Sequence, residues 1–201
     1  VFKDNNITYT WDVTKLMFSS GNVTERHRMG EIACKEEVIV DLFCGIGYFT
    51  VPLLVHGKAD LVHACEWNPD AVEALRKNLT QNGVEGRCII HEGDCRKVQL
   101  TNIADRVILG LLPSSECGWE KACETLKPCG GVLHIHENVL LKMKNSNIDL
   151  CDTCKKLLES SGIVIESNGN RALSIINGVI ILSYKQVCYK NSTNKLWLLF
   201  S

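Results

Sequence analysis

Long apolar runs are absent from this sequence, and so are the usual signs of export. No run of about 18 apolar residues occurs among its 201 residues, which predicts that no helix spans a membrane. The N-terminus lacks the basic, apolar and small-residue order of a signal peptide. Basic residues are not in excess, since the net charge is −1, so no general positive field holds nucleic acid non-specifically. We therefore expect a soluble, cytoplasmic protein whose contacts with RNA, if it makes them, come from a local patch.

The spacing of zinc ligands is also absent, although the sequence holds 11 cysteines. Only Cys151 and Cys154 form a C-x-x-C pair, and no second pair follows at the spacing of a zinc site. Most cysteines lie in apolar stretches, where a free thiol behaves as a small buried hydrophobe. The histidines show no ligand spacing with cysteine, and His134 and His136 share one face of a predicted strand. We predict reduced, structural thiols, packing roles for these histidines, and no metal site.

Apolar runs and helical patterns alternate along the chain. Continuous apolar runs predict strands buried on both faces of a parallel sheet, at 37–43, 61–67, 88–94, 105–111 and 130–137. Helical patterns lie between or beside them, at 24–33, 48–55, 68–83 and 119–126, with Thr24 and Asn68 as candidate N-caps. A further strand is expected within 7–13. The alternation predicts an α/β fold with a doubly wound, mostly parallel sheet.

The tail after about residue 165 has a different pattern. Asn177 and Gly178 separate two apolar stretches, which predicts a hairpin, and 195–200 could add an edge strand. We divide the chain into residues 1–35, a strand and a helix leading into the core, and residues 36–201, the ligand-binding domain with this atypical tail.

The stretch VDLFCGIGYF, residues 40–49, joins the first buried strand to a helix. Gly45 and Gly47 lie in this turn, and residues without side chains let the backbone approach a ligand closely. Glu66 ends the second strand about twenty residues further on, where an acid commonly accepts hydrogen bonds from ribose hydroxyls. Asp94 ends the third strand. Because parallel strands bring their carboxyl ends to one edge, these residues predict a nucleotide-binding crevice.

Two residues distinguish between nucleotide cofactors. Thr50 stands where a dinucleotide fingerprint requires a small residue. Asp41 places a carboxylate at the end of the first strand, where it would repel a pyrophosphate and attract a sulfonium or an ammonium group. The pattern favours S-adenosylmethionine over NAD, and a nicotinamide-dependent oxidoreductase remains an alternative.

Five motifs in order make the sequence recognisable: FSSGNVTERHR (18–28), DLFCGIGYFTVP (41–52), ACEWNPDAVEALRKNLTQNGV (64–84), HEGDCR (91–96) and ADRVILGLLPSS (104–115). They resemble the tRNA-modifying family that pairs guanine-37 methyltransferases with wybutosine-synthesising aminocarboxypropyltransferases. The resemblance covers about residues 5–140. It implies the Rossmann-like fold of class I S-adenosylmethionine-dependent methyltransferases for the domain at 36–201.

The resemblance also implies roles for individual residues. Ser19 and Arg26 would contact the methionine part of the cofactor, and a guanidinium can pair with its carboxylate as a fork. Glu66 would hold the ribose. Asp94 and the backbone of Cys95 would flank the adenine.

Two departures separate the branches of the family. The methyltransferases carry an arginine where this chain has Gly21, and another loop where it has GLLPSS. These departures, together with GGVLHIHENV at 130–139, imply aminocarboxypropyl transfer from S-adenosylmethionine to a ring carbon of the wybutosine precursor at position 37 of phenylalanine tRNA. Pro113, Ser114 and Ser115 would shape the loop over the target base. Glu25 aligns with the acid that serves the methyltransferases as a base, although it is also a carboxylate that the helix dipole favours in a first turn.

Two other functions stay open. One is methyl transfer to guanine 37 of tRNA. The other is a non-catalytic module that binds RNA or protein, because the resemblance fades after about residue 165. For the enzyme we expect a monomer whose partner is tRNA, with no metal and no membrane.

Overall fold

The computed structural model describes residues 1–137 together with five later strand segments, 164–167, 172–176, 179–184, 186–190 and 196–200. The Cys151/Cys154 pair and the turn residues Asn177 and Gly178 lie outside the described residues. None of the helices described there is both long and apolar enough to cross a membrane.

A seven-stranded sheet forms the centre of the described structure. Its seven strands are β3 (Val38–Asp41), β4 (Leu61–Glu66), β5 (Cys88–Glu92), β6 (Arg106–Leu109), β7 (Val132–Glu137), β9 (Ala172–Ile176) and β10 (Val179–Tyr184). Five of them run parallel, in the spatial order β5-β4-β3-β6-β7, and two antiparallel strands, β10 and β9, extend the sheet beyond β7. The predicted parallel strands are confirmed, since each apolar run contains one of them.

Within residues 1–137, four α-helices accompany the parallel strands: α1 (Val23–Glu31), α2 (Thr50–Val55), α3 (Pro69–Gln81) and α4 (Trp119–Thr125). One cluster of buried apolar side chains joins α1, α2 and α3 to the sheet and includes Met29, Leu53 and Leu75. A second cluster includes Val40 of β3 and Trp119 of α4. The two clusters draw on alternate residues of the same strands, so both faces of the sheet are covered, as a doubly wound fold requires.

The chain order of the parallel strands places a crevice at one edge. From β3 the chain proceeds outward to β4 and β5 and then returns to β6 on the other side of β3. Such a reversal of strand order opens a crevice beyond the carboxyl ends of the central strands. The glycine turn follows β3 directly and therefore lies at this crevice.

A β-hairpin precedes the sheet, where the sequence predicts only one strand. It consists of β1 (Phe2–Asp4) and β2 (Ile7–Tyr9), paired antiparallel. Asn5 and Asn6 connect the strands with φ of 46° and 59°. Asparagine tolerates this left-handed conformation, which the favoured two-residue hairpin turn requires at both positions.

Helix starts follow the prediction in one case and differ in the other. The side chain of Asn68 accepts a hydrogen bond of 3.0 Å from the Asp70 amide and caps α3 as predicted. Thr24 is not the cap of α1, because a 3₁₀ turn over Ser20–Asn22 runs directly into the helix and Val23 is already helical.

The later strands correct one expectation and support another. β9 and β10 pair antiparallel from Ile176 and Val179 outward, as expected for the predicted hairpin. A separate three-stranded sheet has the order β11-β12-β8, with β8 at Val164–Ser167, β11 at Gln186–Lys190 and β12 at Leu196–Phe200. The strand expected at 195–200 is present as β12, but its expected position at an edge is wrong, because β12 pairs on both sides.

Candidate active site

The glycine turn begins the candidate site. Gly45 and Gly47 have φ of +57° and +95°, a region that residues with side chains rarely adopt. A Cβ on Gly47 would lie 2.8 Å from side-chain carbons of both Leu75 and Val51. The absence of a side chain at Gly47 therefore allows α2 and α3 to pack closely against the turn. Gly45 supplies the left-handed conformation of the turn, and its amide points to Glu66.

Glu66 fixes this turn from the end of β4. One carboxylate oxygen accepts a 2.9 Å hydrogen bond from the amide of Gly45, and the other accepts a 2.8 Å bond from the amide of Asn68. Each oxygen retains capacity for a further donor, because a carboxylate has about four acceptor sites. The structure thus brings Glu66, Gly45 and the start of α3 together, as the sequence predicts.

Asp41 lies deeper than the sequence suggests. Its side chain is 0% exposed, and it accepts hydrogen bonds from the hydroxyl of Thr50 (2.8 Å) and the amide of Phe43 (3.4 Å). Burial raises the pKa of Asp41 to about 6, against the opposing effect of these bonds. Its predicted attraction of the cationic part of a cofactor stays a prediction, although the carboxylate is fully buried in this structure. Its role in this structure is to anchor the first turn of α2 to the end of β3.

Asp94 and Cys95 lie at the end of β5. Asp94 caps a 3₁₀ turn over Cys95–Lys97, and it binds the Arg96 side chain through hydrogen bonds of 2.7–3.1 Å. The side chain and amide of Arg96 lower the pKa of Asp94 to about 2. Cys95 is buried, and burial raises the pKa of its thiol to about 11. Only the backbone of Cys95 is therefore suited to contact a ligand, in line with the expectation.

A backbone contact joins these two strand ends. The amide of Gly93 donates a 2.8 Å hydrogen bond to the carbonyl of Glu66. Asp94 and Glu66 consequently flank the same edge of the sheet.

Arg26 is engaged inside the protein. Its side chain is 1% exposed, and its guanidinium donates to Asp4 (3.0 and 3.3 Å), to the carbonyl of Ser19 (3.0 Å) and to the side chain of Asn22. The ring of Phe18 lies 5.1 Å from the guanidinium carbon. In this structure Arg26 connects α1 with the hairpin and the segment at Ser19. The paired hydrogen bonds from Arg26 to a cofactor carboxylate stay a prediction. To form them, Arg26 would have to give up one of these acceptors.

Ser19 lies next to the glycine turn. Its amide donates a 3.2 Å hydrogen bond to the hydroxyl of Tyr48, and that hydroxyl donates in turn to the carbonyl of Met17 at 3.0 Å. Tyr48 follows Gly47 directly, so the exposed Ser19 is brought to the site edge from a distant part of the sequence.

Glu25 is buried and paired rather than open to a substrate. It accepts two hydrogen bonds from Arg28 (2.6 and 2.7 Å) and lies 2.9 Å from Nε2 of His136, with 1% of its side chain exposed. Burial alone raises the pKa of Glu25, but the bonds from Arg28 and His136 outweigh it and hold the pKa below its usual value. In this structure Glu25 is enclosed by Arg28 and His136. Its role as the base stays a prediction.

The loop after β6 carries the three predicted substrate-loop residues. Pro113 follows a cis peptide bond and is exposed, as is Ser114. Ser115 is buried, and its hydroxyl accepts a 3.2 Å hydrogen bond from the indole of Trp119. Trp119 is buried in the core and does not present its ring for stacking on RNA. Of these three residues, Pro113 and Ser114 are open to a target base.

Several contacts of the predicted site residues could not be inferred from the sequence. Thr50, Arg28 and His136 all bind predicted site residues, yet His136 lies 111 residues from its partner Glu25.

Among the residues that the structure describes, no group of three or more possible ligands is arranged to hold a metal ion.

Comparison with protein families matches residues 1–160 to the TRM5/TYW2 methyltransferase domain. The chain is 63% identical over 137 residues to a Homo sapiens protein named tRNA wybutosine-synthesizing protein 2 homolog, covering 68% of this chain and 31% of that protein. The Danio rerio protein of the same name is 60% identical over 137 residues, covering 68% of this chain and 34% of that protein. The chain thus spans about a third of the length of these curated relatives.

Solved structures agree with this match. The crystal structure of M. jannaschii TYW2 in complex with AdoMet has a TM-score of 0.74 and 35% identity, over 90% of this chain and 81% of that chain. P. horikoshii TYW2 in complex with MeSAdo gives 0.73 and 32%, over 90% and 67%. An M. jannaschii tRNA methyltransferase that modifies guanine 37 gives 0.66 and 25%, over 90% and 54%. The predicted Rossmann-like methyltransferase fold is confirmed, and the chain belongs to the TRM5/TYW2 methyltransferase domain family.

Proposed function

We propose that this chain transfers the 3-amino-3-carboxypropyl group of S-adenosylmethionine to a ring carbon of the wybutosine precursor at position 37 in the anticodon loop of phenylalanine tRNA. Methylthioadenosine is the leaving group. The observation that carries the proposal is the 60–63% identity to relatives named tRNA wybutosine-synthesizing protein 2 homolog. The match to a solved guanine-37 methyltransferase is weaker, at 25% identity.

The residues at the carboxyl edge of the sheet fit an adenosine-bearing ligand. Glu66 is half-buried, and its two oxygens each accept only one backbone hydrogen bond, so both can accept from ribose hydroxyls. The backbone of Gly45 would lie along the ligand. Asp94 and the Cys95 backbone would flank the adenine, and Ser19 would lie toward the methionine part.

S-adenosylmethionine supplies a sulfonium with three attached carbons. Whichever carbon lies in line with the nucleophile is the one transferred, so orientation selects the product. In the proposed step the ring carbon of the base forms a bond to the methionine-side carbon and the bond from that carbon to sulfur breaks. The ring then loses its proton to solvent, which suits a site in which Glu25 is enclosed.

The position of Gly21 supports transfer of the larger group. The methyltransferase branch carries an arginine there, as the sequence resemblance implies. A Cβ on Gly21 would meet no atom within 4 Å, so steric exclusion does not explain the missing side chain. This site therefore lacks the guanidinium that the methyltransferase branch carries at this position.

The same proposal includes the setting of the enzyme. Residues 36–201 form the cofactor-binding catalytic domain and residues 1–35 lead into it. The protein acts as a cytoplasmic monomer without a metal, and its partner is tRNA.

S-adenosylmethionine labelled separately in the methyl group and in the carboxyl group tests the reaction. The purified chain is incubated with tRNA that lacks the wybutosine side chain. We expect the carboxyl label in tRNA and the methyl label in methylthioadenosine. Methyl label in tRNA, with S-adenosylhomocysteine released, would assign the chain to guanine-37 methyl transfer instead. Tight cofactor binding without transfer to any tRNA would favour the non-catalytic module.

A further inference from the structure

His136 lies where four segments of the site meet. Its side chain is almost fully buried in β7, and its Nε2 is 2.9 Å from a carboxylate oxygen of Glu25 on α1. Its Nδ1 is 3.2 Å from the carbonyl of Leu109, the last residue of β6. The ring of Phe49, from the end of the glycine turn, stacks on the imidazole with a centroid distance of 4.9 Å and an angle of 11°.

Phe49 extends this junction to the substrate loop. A Cβ on Gly110 would lie 2.8 Å from the Phe49 ring, so the loop packs directly on that ring as it leaves β6. Gly110 begins the loop that carries Pro113 and Ser114. His136 therefore contacts the preceding carbonyl and, through Phe49, the first residue of the loop.

The partners of His136 determine where its protons are. A carbonyl only accepts, so Nδ1 carries a hydrogen and donates to Leu109. At Nε2 the partner is Glu25, whose two oxygens also accept a fork of hydrogen bonds from Arg28. A carboxyl group in such a fork favours its ionised form. In the arrangement proposed below, Nε2 carries a hydrogen as well and His136 is an imidazolium.

Charged groups lie near His136 on two elements. Arg28, Asp41 and His134 are among the described titratable groups that interact with Glu25 or His136. Glu25, on α1, is the carboxylate in direct contact with His136. Asp41 ends β3, and its interaction with His136 lowers the pKa of Asp41 against the larger effect of burial.

His134, two residues earlier in the same strand, has the opposite surroundings. Its Nε2 lies 2.7 Å from a guanidinium nitrogen of Arg106, which can only donate, so this nitrogen accepts. Burial and the charge of Arg106 hold the pKa of His134 well below its usual value. His134 is thus a neutral imidazole and a matched control for His136.

We propose that His136 is a positioning residue for the transfer reaction, an imidazolium that binds Glu25 and the Leu109 carbonyl and so fixes the loop at 110–115 against the glycine turn. The inference rests on the proposed function. It gives Glu25 the role of counter-ion in place of the role of base.

The charge state is tested by ¹⁵N NMR of the imidazole nitrogens in the whole chain at pH 7. We expect two protonated nitrogens at His136 and one at His134. Replacing the counter-ion, by Glu25→Gln, is expected to convert His136 to a neutral imidazole while His134 is unchanged. A neutral His136 in the unaltered chain overturns the proposal.

Positioning is tested with two variants that each keep one nitrogen. His136→Gln retains a donor toward Glu25, and His136→Asn retains only the donor toward Leu109. We expect each variant to lower kcat of transfer about tenfold or more and to speed amide exchange at 110–115, because each loses one of the two hydrogen bonds, with less than about twofold change in KM for the cofactor. The control His134→Gln should match the unaltered chain.

The outcomes separate the two proposals. Unchanged kcat and unchanged amide exchange in His136→Asn overturn the positioning role while the function stands. If the unaltered chain transfers nothing to tRNA, the proposed function fails and the role in transfer fails with it, whatever the NMR result. If His136→Asn does not fold, His136→Gln and Glu25→Gln decide between these outcomes by the same two measurements.

Discussion

At the scale of single residues, carboxyl groups in similar sequence positions have opposite surroundings. Asp41 and Asp94 both follow a parallel strand, yet Asp41 is fully buried with one hydroxyl and one amide as donors, whereas Asp94 meets the Arg96 side chain at the surface. Burial raises the pKa of Asp41 to about 6, and Arg96 lowers that of Asp94 to about 2. Residue type and position at a strand end therefore do not set the pKa.

The substitution Asp41→Asn is expected to stabilise the protein at neutral pH. Asp41 ionises near 3.8 when exposed and near 6 when folded, so its ionised form opposes folding fully above pH 6 and not at all below about pH 4. A shift of about two units corresponds to about 3 kcal/mol as an upper limit. An asparagine can accept from Phe43 and donate to Thr50, so both contacts survive.

Denaturant unfolding at pH 8 and at pH 4 measures this effect. We expect a gain in the free energy of unfolding of about 1–3 kcal/mol at pH 8 and little change at pH 4. Asp94→Asn is the control, and it should show no gain at pH 8, because its pKa is lowered and folding favours its ionised form. A loss of stability in Asp41→Asn at both pH values would contradict the assignment.

At the scale of elements, α3 connects the N-terminal hairpin with the glycine turn. Asn78, fully buried on α3, donates 2.9 Å to the carbonyl of Ile46 and accepts 2.7 Å from the amide of Thr10. One turn later, Asn82 binds both the amide and the carbonyl of Thr8, at 2.9 and 2.8 Å. These amide side chains satisfy backbone groups that have no strand partner, so the turn and the hairpin are held by the same helix.

Close packing of α2 and α3 on the turn predicts a strong effect of Gly47→Ala. The new methyl group would overlap Leu75 and Val51, in addition to the cost of a positive φ. We expect a loss of about 2–4 kcal/mol in the free energy of unfolding. Gly83→Ala, also at positive φ but with no atom within 4 Å, is the matched control and should cost about 1 kcal/mol. Equal losses in the two variants would argue against the packing role.

At the scale of the whole molecule, reversal of the strand order gathers residues that are far apart in sequence. Ser19, Gly45, Glu66 and Asp94 come from four segments and meet at one edge of the sheet through contacts of Tyr48, the Gly45 amide and the Gly93 amide. A ligand spanning this edge would bind only the folded chain. Binding should therefore stabilise the whole fold.

Thermal unfolding with and without S-adenosylmethionine measures this linkage. At a concentration of about 100 Kd we expect a stabilisation of about 2.7 kcal/mol and a rise in Tm of about 5–10 °C. Glu66→Gln should reduce the rise, because an amide cannot accept from both Gly45 and Asn68. NAD should give no rise. An equal rise with NAD, or none with S-adenosylmethionine, would contradict the proposed cofactor.

Features that depend on one short segment were predictable from the sequence, and features that depend on distant partners were not. The parallel strands, the Asn68 cap and the glycine turn were predictable, because each depends on residues within one short segment. The helix cap at Thr24 and the edge position of the strand at 195–200 were predicted wrongly, because a preceding 3₁₀ turn and a second strand partner decided them. Arg26 was predicted as a ligand contact, and its partner Asp4, 22 residues away, could not be inferred from spacing.

By itself the sequence determined the α/β class, the order of the elements and which acids end the strands, since apolar periodicity and glycine act locally. Only the tertiary structure decided which of those acids is buried, which is paired and which faces the crevice. The reason is that desolvation and ion pairing depend on neighbours such as Thr50, Arg28 and His136, which the fold brings together from separate segments.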